Sequence, residues 1–477
     1  MPTRKETARS SARCAAWSST SAPTGPANRL ATLPLIAHTS ADAVIAYRGG
    51  QPLLVREFLA DVARVAPALG SGAHVLNACA DRYHFAVGLA ACLVADKVSL
   101  LPPTHTPEVM RQLRRFAADV VCLTDEAQCD IELPRVRYPL HREPAAPAAG
   151  AVPHIDSARR VAYVFTSGST GTPVAHAKTW GRLTACVREE ASRLGLAGNA
   201  CAIIATVPPQ HMYGFESSLL LGLLNGHALC AERPFYPADI AAALERVPRP
   251  RVLVSTPVHL RALVGSGVAL PQTDLIVCST APLSHELALE VEERCHTRLL
   301  EIYGSTETGQ IAMRQPTASP EWRLWPGVTL SVGDGETWAQ GGHIEEPTRM
   351  LDVLELTGAD TFLLHGRVAD LVNIAGKRSS LGYLNHQLNS IPGVLDGAFF
   401  HAEEPHGAAV ARVGACVVAP GLDPQALVAQ LRQRIDAAFL PRPLLMVARL
   451  PRNSTGKLPQ AALRALAAAN SESAAAG

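Results

Sequence analysis

The sequence has no Cys-x-x-Cys pair, no apolar run of membrane-spanning length and almost no net charge. Each absence excludes a class. Its eleven cysteines (Cys14, Cys79, Cys92, Cys122, Cys129, Cys186, Cys201, Cys230, Cys278, Cys295 and Cys416) are scattered. That spacing fits neither a zinc site nor a disulfide framework, so a reducing cytoplasm is the expected compartment. A transmembrane helix needs about 20 apolar residues. The longest candidate, Phe85 to Ala95, stops at Asp96-Lys97, so no membrane span is expected. Lys and Arg total 43 against 42 Asp and Glu, leaving +1. Nucleic acid and acidic membranes therefore find no electrostatic footprint.

What is present is an ordinary globular composition. Hydrophobic residues make up 48% of 477 residues, too many for a disordered chain. The length exceeds one core, which stops growing near ~250–300 residues, so at least two domains are expected. Residues 1–29 are basic and rich in Ser, Thr and Ala, without a secretory apolar region, and are read as a disordered leader or as an upstream start. Residues 466–477 are read as a loose tail.

Between 74 and 134 the chain alternates short apolar runs with helical patterns: HVLNACA, FAVGLAACLVA, VSLLPP, PEVMRQLRRFA, VVCLT. This rhythm predicts parallel strands covered by helices. A Pro/Ala-rich linker follows, and the rhythm restarts at VAYVF, Val161–Phe165. From about 322 to 365 short pieces broken by Gly and Pro predict a small all-β insert. After Val368 the pattern is α+β. The fold class is thus α/β, with two α/β subdomains and a smaller C-terminal domain.

VAYVF runs into Thr166, Ser167, Gly168, Ser169, Thr170 and Gly171. Glycines let backbone approach an anion, and hydroxyls and N–H groups donate to phosphate oxygens. A plain Ser/Gly surface loop is the alternative. The loop lacks the Gly-Lys-Ser/Thr of a Walker A motif and the GxGxxG of a dinucleotide fold. A phosphotransferase or ATPase would need a lysine in that loop.

Thr166–Pro173 resembles the T-S-G-S-T-G-x-P signature of the adenylate-forming enzymes: acyl-CoA synthetases, luciferases and peptide-synthetase adenylation domains. Val174 stands where the family usually has lysine; Lys178 four residues on is a candidate substitute, with a surface role the favoured expectation. Other family motifs follow in order. Tyr303-Gly304-Ser305-Thr306-Glu307 matches Y-G-x-T-E. Ala281-Pro282-Leu283 matches the end of G-A-P-L, with Ser279-Thr280 replacing two glycines. Asp352 precedes Gly366-Arg367 at the family's spacing, and Pro451–Lys457 matches P-R-x-x-x-G-K.

The resemblance implies an AMP-forming acid–thiol ligase using ATP, Mg²⁺ and a small carboxylic acid. The acceptor is coenzyme A or the phosphopantetheine of an acyl carrier protein. It also implies a domain of residues 30–366 including a small distorted β-barrel, and a mobile domain of 367–465. Nucleotide would be held by Thr166, Ser167, Gly168, Ser169, Thr170, Gly171, Thr280, Ala281, Pro282, Tyr303, Gly304, Asp352 and Arg367. Tyr303 would stack on adenine, with a buried core tyrosine as the alternative, and Asp352 with Arg367 would hold the ribose, with plain surface charges as the alternative. Glu307 would ligate Mg²⁺, Thr306 would reach the α-phosphate, and Lys457 would neutralise charge in transfer. His211 and Gly214 would border the acyl pocket, though a core histidine is the alternative for His211. Gly376 would line the thiol tunnel. The usual charged pivot is Ala369, followed by Asp370. HMYGFE and GKRSSL further resemble ligases found with aryl-polyene (xanthomonadin-type) pigment genes, which implies an aryl or hydroxyaryl acid. Val174, Ser279-Thr280 and Ala369 leave a second reading, a homologue that binds nucleotide or acid without turnover.

Overall fold

The computed structural model describes residues 31–139, 151–167, 173–333, 336–367, 371–374, 377–402, 412–452 and 458–475; of Ser167, Arg367, Leu371, Asn373, Lys377, Arg378 and residues 471–475 it describes the backbone. Two large sheets carry the N-terminal part. The first has six strands, in the order Pro173–Thr179, Arg160–Ser167, Val98–Leu101, His74–Asn77, Val121–Thr124, Arg135–Arg137. Val75 pairs in parallel with Ser99 on one side and Val121 on the other. The expected βαβαβ rhythm is therefore present, with helices Arg82–Val94 and Pro107–Phe116 as its crossovers. Helix Arg82–Val94 is buried nearly all round, which explains its continuous apolar run. Gly88 allows that depth, because a Cβ there would lie 2.5 Å from the Asn77 amide and 2.6 Å from Leu123.

The second sheet has eleven strands. Its parallel centre runs from Val44–Arg48 through Ala228–Cys230, Ala202–Ala205, Arg251–Ser255 and Leu275–Cys278 to Leu299–Ser305. Parallel strands are buried on both faces, so they read as unbroken apolar runs such as AIIA and LIVC. Wholly buried Arg82 ties the two α/β units together. It donates to the carbonyls of Ala205 and Val207, both at 2.9 Å, from the start of a helix that covers the first sheet. Burial pushes its guanidinium down to about 10.

The β-rich stretch after residue 322 divides. Trp322–Leu324, Asp352–Leu356 and Thr361–Arg367 join the large sheet, while Val328–Gly333, Glu336–Gly341 and Thr348–Met350 form a three-stranded sheet of their own. The C-terminal part is α+β, as expected. A hairpin, Leu371–Ile374 with Lys377–Ser380, leads to a three-stranded sheet around Phe399, Ala415 and Val417. The tail expected to be loose is instead helical, from Gln460 to Ala475. Its Leu463 and Ala467 pack against Phe400 and Cys416. Alanine has the highest helix propensity, and this apolar edge gives the helix a surface to cover.

Ten cysteines lie among the described residues; all are free and nine are buried. No helix among the described residues is long and apolar enough to cross a membrane.

Candidate active site

Ligands of open parallel sheets bind beyond the carboxyl ends of the strands. Three of the sequence motifs meet at such ends here. At the end of strand Arg160–Ser167, Thr166 lies opposite Val174 and Ser167 opposite Pro173 on the antiparallel strand Pro173–Thr179. Val174, at the family's lysine position, is exposed. Gly168, Ser169, Thr170 and Gly171 lie outside the described residues, as do Ala369, Asp370, Gly376 and Lys457.

Strand Leu299–Ser305 carries Tyr303 and Gly304 into the turn of Thr306 and Glu307, then returns as Gly309–Arg314. The pairing shifts register between Tyr303 and Gly304. At Gly304 any side chain would meet the Gly309 carbonyl, 2.2 Å from the Cβ position. The turn is closed by Ser305 and Thr308, which exchange backbone and hydroxyl hydrogen bonds at 3.1–3.2 Å. Glu307 leaves it with its side chain 37% exposed, free to meet a ligand from solvent.

Tyr303 connects this turn with the aspartate motif. Its hydroxyl donates to Asp352 Oδ2 at 2.5 Å. The ring is 9% exposed and packs against Trp322 and Phe362, with centroids 5.4 and 5.6 Å away. Asp352 and Arg367, separated in sequence, are direct partners across the antiparallel strands Asp352–Leu356 and Thr361–Arg367.

The loop after strand Leu275–Cys278 hangs on the same turn. Ser279 Oγ donates to the Ile302 carbonyl at 2.8 Å, and Leu283 N–H donates to buried Glu301. Burial raises the Glu301 carboxyl, while Arg314, bonded to it at 2.8 Å, opposes the shift. Between these anchors Thr280 sits at φ +85°, a region a β-branched residue adopts only under strain. It thus takes the backbone geometry that the family assigns to glycine. Relief of about 1–2 kcal/mol of strain matches or exceeds the roughly 0.5–1 kcal/mol that glycine's added freedom costs. Thr280→Gly is therefore expected to leave the thermal midpoint at or above the parent's; a clear fall in a melting experiment would refute the strain argument.

His211 precedes a single helical turn, Met212–Gly214, which passes into a π-helical turn, Phe215–Leu220. Such turns concentrate at functional sites. Tyr213 donates to the Val277 carbonyl at 3.0 Å, just below the Thr280 loop. Gly214 has a packing reason of its own, because a Cβ there would fall 2.0 Å from the Pro208 carbonyl.

Two residues in contact with the Thr306-Glu307 turn were missed or misjudged from the sequence. His176 Nε2 lies 2.9 Å from Thr166 Oγ1 and 3.5 Å from Glu307 Oε1. Lys178, expected at the surface, is 4% exposed and donates to the Glu307 carbonyl at 3.0 Å. Burial lowers its ammonium pKa, while Glu216, Cys186 and Glu345 oppose the shift. Behind it Cys186 donates to Glu216 Oε1 at 3.1 Å. Burial pushes Glu216 up to about 7 and nearby Glu190 up to about 8, and His343 down to about 4. The available signal was the His-x-Lys alternation, which puts two polar groups on one strand face.

The family model of AMP-binding enzymes matches residues 36–337. The chain belongs to this family. A 4-coumarate–CoA ligase of Halorhodospira halophila is 30% identical over 305 residues, covering 61% of this chain and 73% of that protein. A 4-coumarate–CoA ligase of Rhodobacter capsulatus is 31% identical over 230 residues, which are 48% of this chain and 57% of that one. This chain therefore spans little more than half of that relative. The ATP-bound structure of MatB from Rhodopseudomonas palustris has a TM-score of 0.77 at 19% identity, over 90% of this chain and 97% of that one. The likeness of fold to that structure thus extends over 90% of this chain, well beyond the stretch that the family model matches.

Proposed function

We propose that this AMP-binding enzyme activates an aryl or hydroxyaryl carboxylic acid with ATP. The acyl-adenylate then passes its acyl group to the thiol of coenzyme A or of a carrier-protein phosphopantetheine. The carrying observation is the meeting of Tyr303, Asp352 and Arg367 beside the Thr306-Glu307 turn. The two relatives named as 4-coumarate–CoA ligases support the aryl class, and HMYGFE and GKRSSL support the finer placement beside aryl-polyene pigment genes.

In the first step a carboxylate oxygen attacks the α-phosphorus and pyrophosphate leaves. In the second a thiolate attacks the acyl carbon and AMP leaves. Both reactants of the first step are anionic, so the site must position them in line and supply positive charge. Asp352 would accept the ribose hydroxyls, oriented by the Tyr303 hydroxyl, and Arg367 would support them from the opposite strand. Thr306 and the Thr166–Gly171 loop would donate to phosphate oxygens, and Thr280, Ala281 and Pro282 would border the nucleotide. His211 and Gly214 would border the acid, and Gly376 the thiol's path.

The Mg²⁺ expected here fits the residues present. Among the described residues no three His, Cys, Asp or Glu side chains gather as a metal cluster. A single part-exposed carboxylate, Glu307, suits a small hard cation held otherwise by substrate phosphates and water. When bound it would neutralise phosphate charge.

Acid-dependent ATP–pyrophosphate exchange over a panel of aryl and fatty acids tests this reading. Exchange is expected with aryl acids first. A protein that binds ATP yet exchanges with no acid would overturn it.

A further inference from the structure

We infer that His176 and Lys178 act together as a two-point clamp on Glu307, aiming its carboxylate at the metal–nucleotide complex. The inference rests on the adenylating role proposed for the site, but its residues lie outside the motifs. Strand Pro173–Thr179 places Val174, His176 and Lys178 on one face. That face descends from solvent at Val174, through part-buried His176, to the interior at Lys178.

The two contacts restrain different parts of one residue. Lys178 Nζ holds the Glu307 main-chain carbonyl at 3.0 Å, which fixes where the turn passes. His176 Nε2 faces the carboxylate at 3.5 Å and Thr166 Oγ1 at 2.9 Å. The imidazole therefore links the last residues of strand Arg160–Ser167 to the proposed metal ligand. Neither restraint alone suffices. The backbone contact leaves the glutamate side chain free to turn, and the imidazole contact leaves the turn free to drift.

Burial makes the lysine hard to explain otherwise. An ammonium withdrawn from water is costly unless paired, and an apolar residue at the same depth would avoid that cost. Lys178 has Glu216 and Glu345 as charged neighbours. Its hydrogen bond goes instead to the Glu307 backbone carbonyl, in a turn of the other large sheet. Its reach ends at the one residue whose direction the chemistry needs. Partners that orient a metal ligand typically change metal affinity 10–100-fold when removed.

The test reads binding rather than turnover. ATP binding is measured by calorimetry at increasing Mg²⁺, with AMP and ATP in EDTA as controls. His176→Ala and Lys178→Met are expected to raise the half-saturating Mg²⁺ about tenfold. AMP and metal-free ATP should bind as in the parent. His176→Gln, which keeps a donor near the Nε2 position, should restore most of the parent's Mg²⁺ dependence. If Lys178→Met does not fold, the two His176 variants carry the test. An unmoved Mg²⁺ dependence in folded His176→Ala would overturn the clamp, and so would equal losses for AMP and MgATP. Absence of acid-dependent exchange in a parent that binds MgATP would overturn the proposed function and leave the clamp standing.

Discussion

Replacing Lys457 by alanine is expected to slow acid-dependent ATP–pyrophosphate exchange by about 10²–10³-fold, the effect of losing one well-placed charge-stabilising donor. The reason is electrostatic. Carboxylate and α-phosphate approach each other as anions, and negative charge grows on the leaving pyrophosphate. A compact ammonium between them lowers the barrier more than it lowers the ground state. A second measurement separates this role from a general loss of structure. The resemblance implies that the C-terminal domain withdraws this lysine after adenylation. Transfer from a supplied acyl-adenylate to a thiol should therefore proceed in Lys457→Ala at nearly the parent rate. Unchanged exchange in the variant would remove Lys457 from the first step. Equal loss of both half-reactions would point to damage to the fold.

The second large effect concerns stability. Glu190, on helix Trp180–Leu194, is fully buried. Its carboxyl lies beside Ser217 and Gln310 without a well-formed hydrogen bond to either. Burial, with the Glu216 charge adding to it, raises the carboxyl from 4.5 to about 8. Below pH 4.5 folded and unfolded chains both hold the proton. Between pH 4.5 and 8 only the folded chain does. Stability is thus greatest at the acid end of that window, falls as pH rises through it, and is level above it. The loss is on the order of 3–5 kcal/mol for a group shifted this far. Glu190→Gln keeps the shape and removes the titration, and the new amide can donate to Gln310 Oε1, which has no partner. Its thermal midpoint should exceed the parent's at pH 8.5 and converge with it near pH 5. Parallel pH profiles for the two proteins would refute the assignment.

The sequence and the structure agree where a single segment carries the signal. The βαβαβ rhythm of residues 74–124 was readable because each strand is an apolar run and each helix has its own pattern. Thr166, Thr280, Tyr303, Glu307 and Asp352 were singled out through motif order. What stayed hidden depends on register. Nothing in the sequence states that Asp352 faces Arg367, or that Tyr303 bonds to Asp352, because strand pairing joins distant segments. Lys178 looked like a surface residue because lysine usually is one. Only the depth of its strand, set by neighbours over a hundred residues away, makes it interior. The burial of Glu190 and Glu216 is likewise set by packing between distant segments. The part of helix Gln460–Ala475 from residue 466 on was read as loose because its covering surface belongs to other strands.

The strand Thr361–Arg367 has one more implication. Its last residues include Gly366, at φ +122° and packed near Ser380, and Arg367, opposite Asp352. The chain then enters the C-terminal domain. If Asp352 grips the ribose, nucleotide and domain junction share one lever: the strand pair that feels the sugar is the one from which the second domain departs. Release of AMP would then slacken the root of that domain directly, and the order of events in a turnover would be written into the hairpin itself.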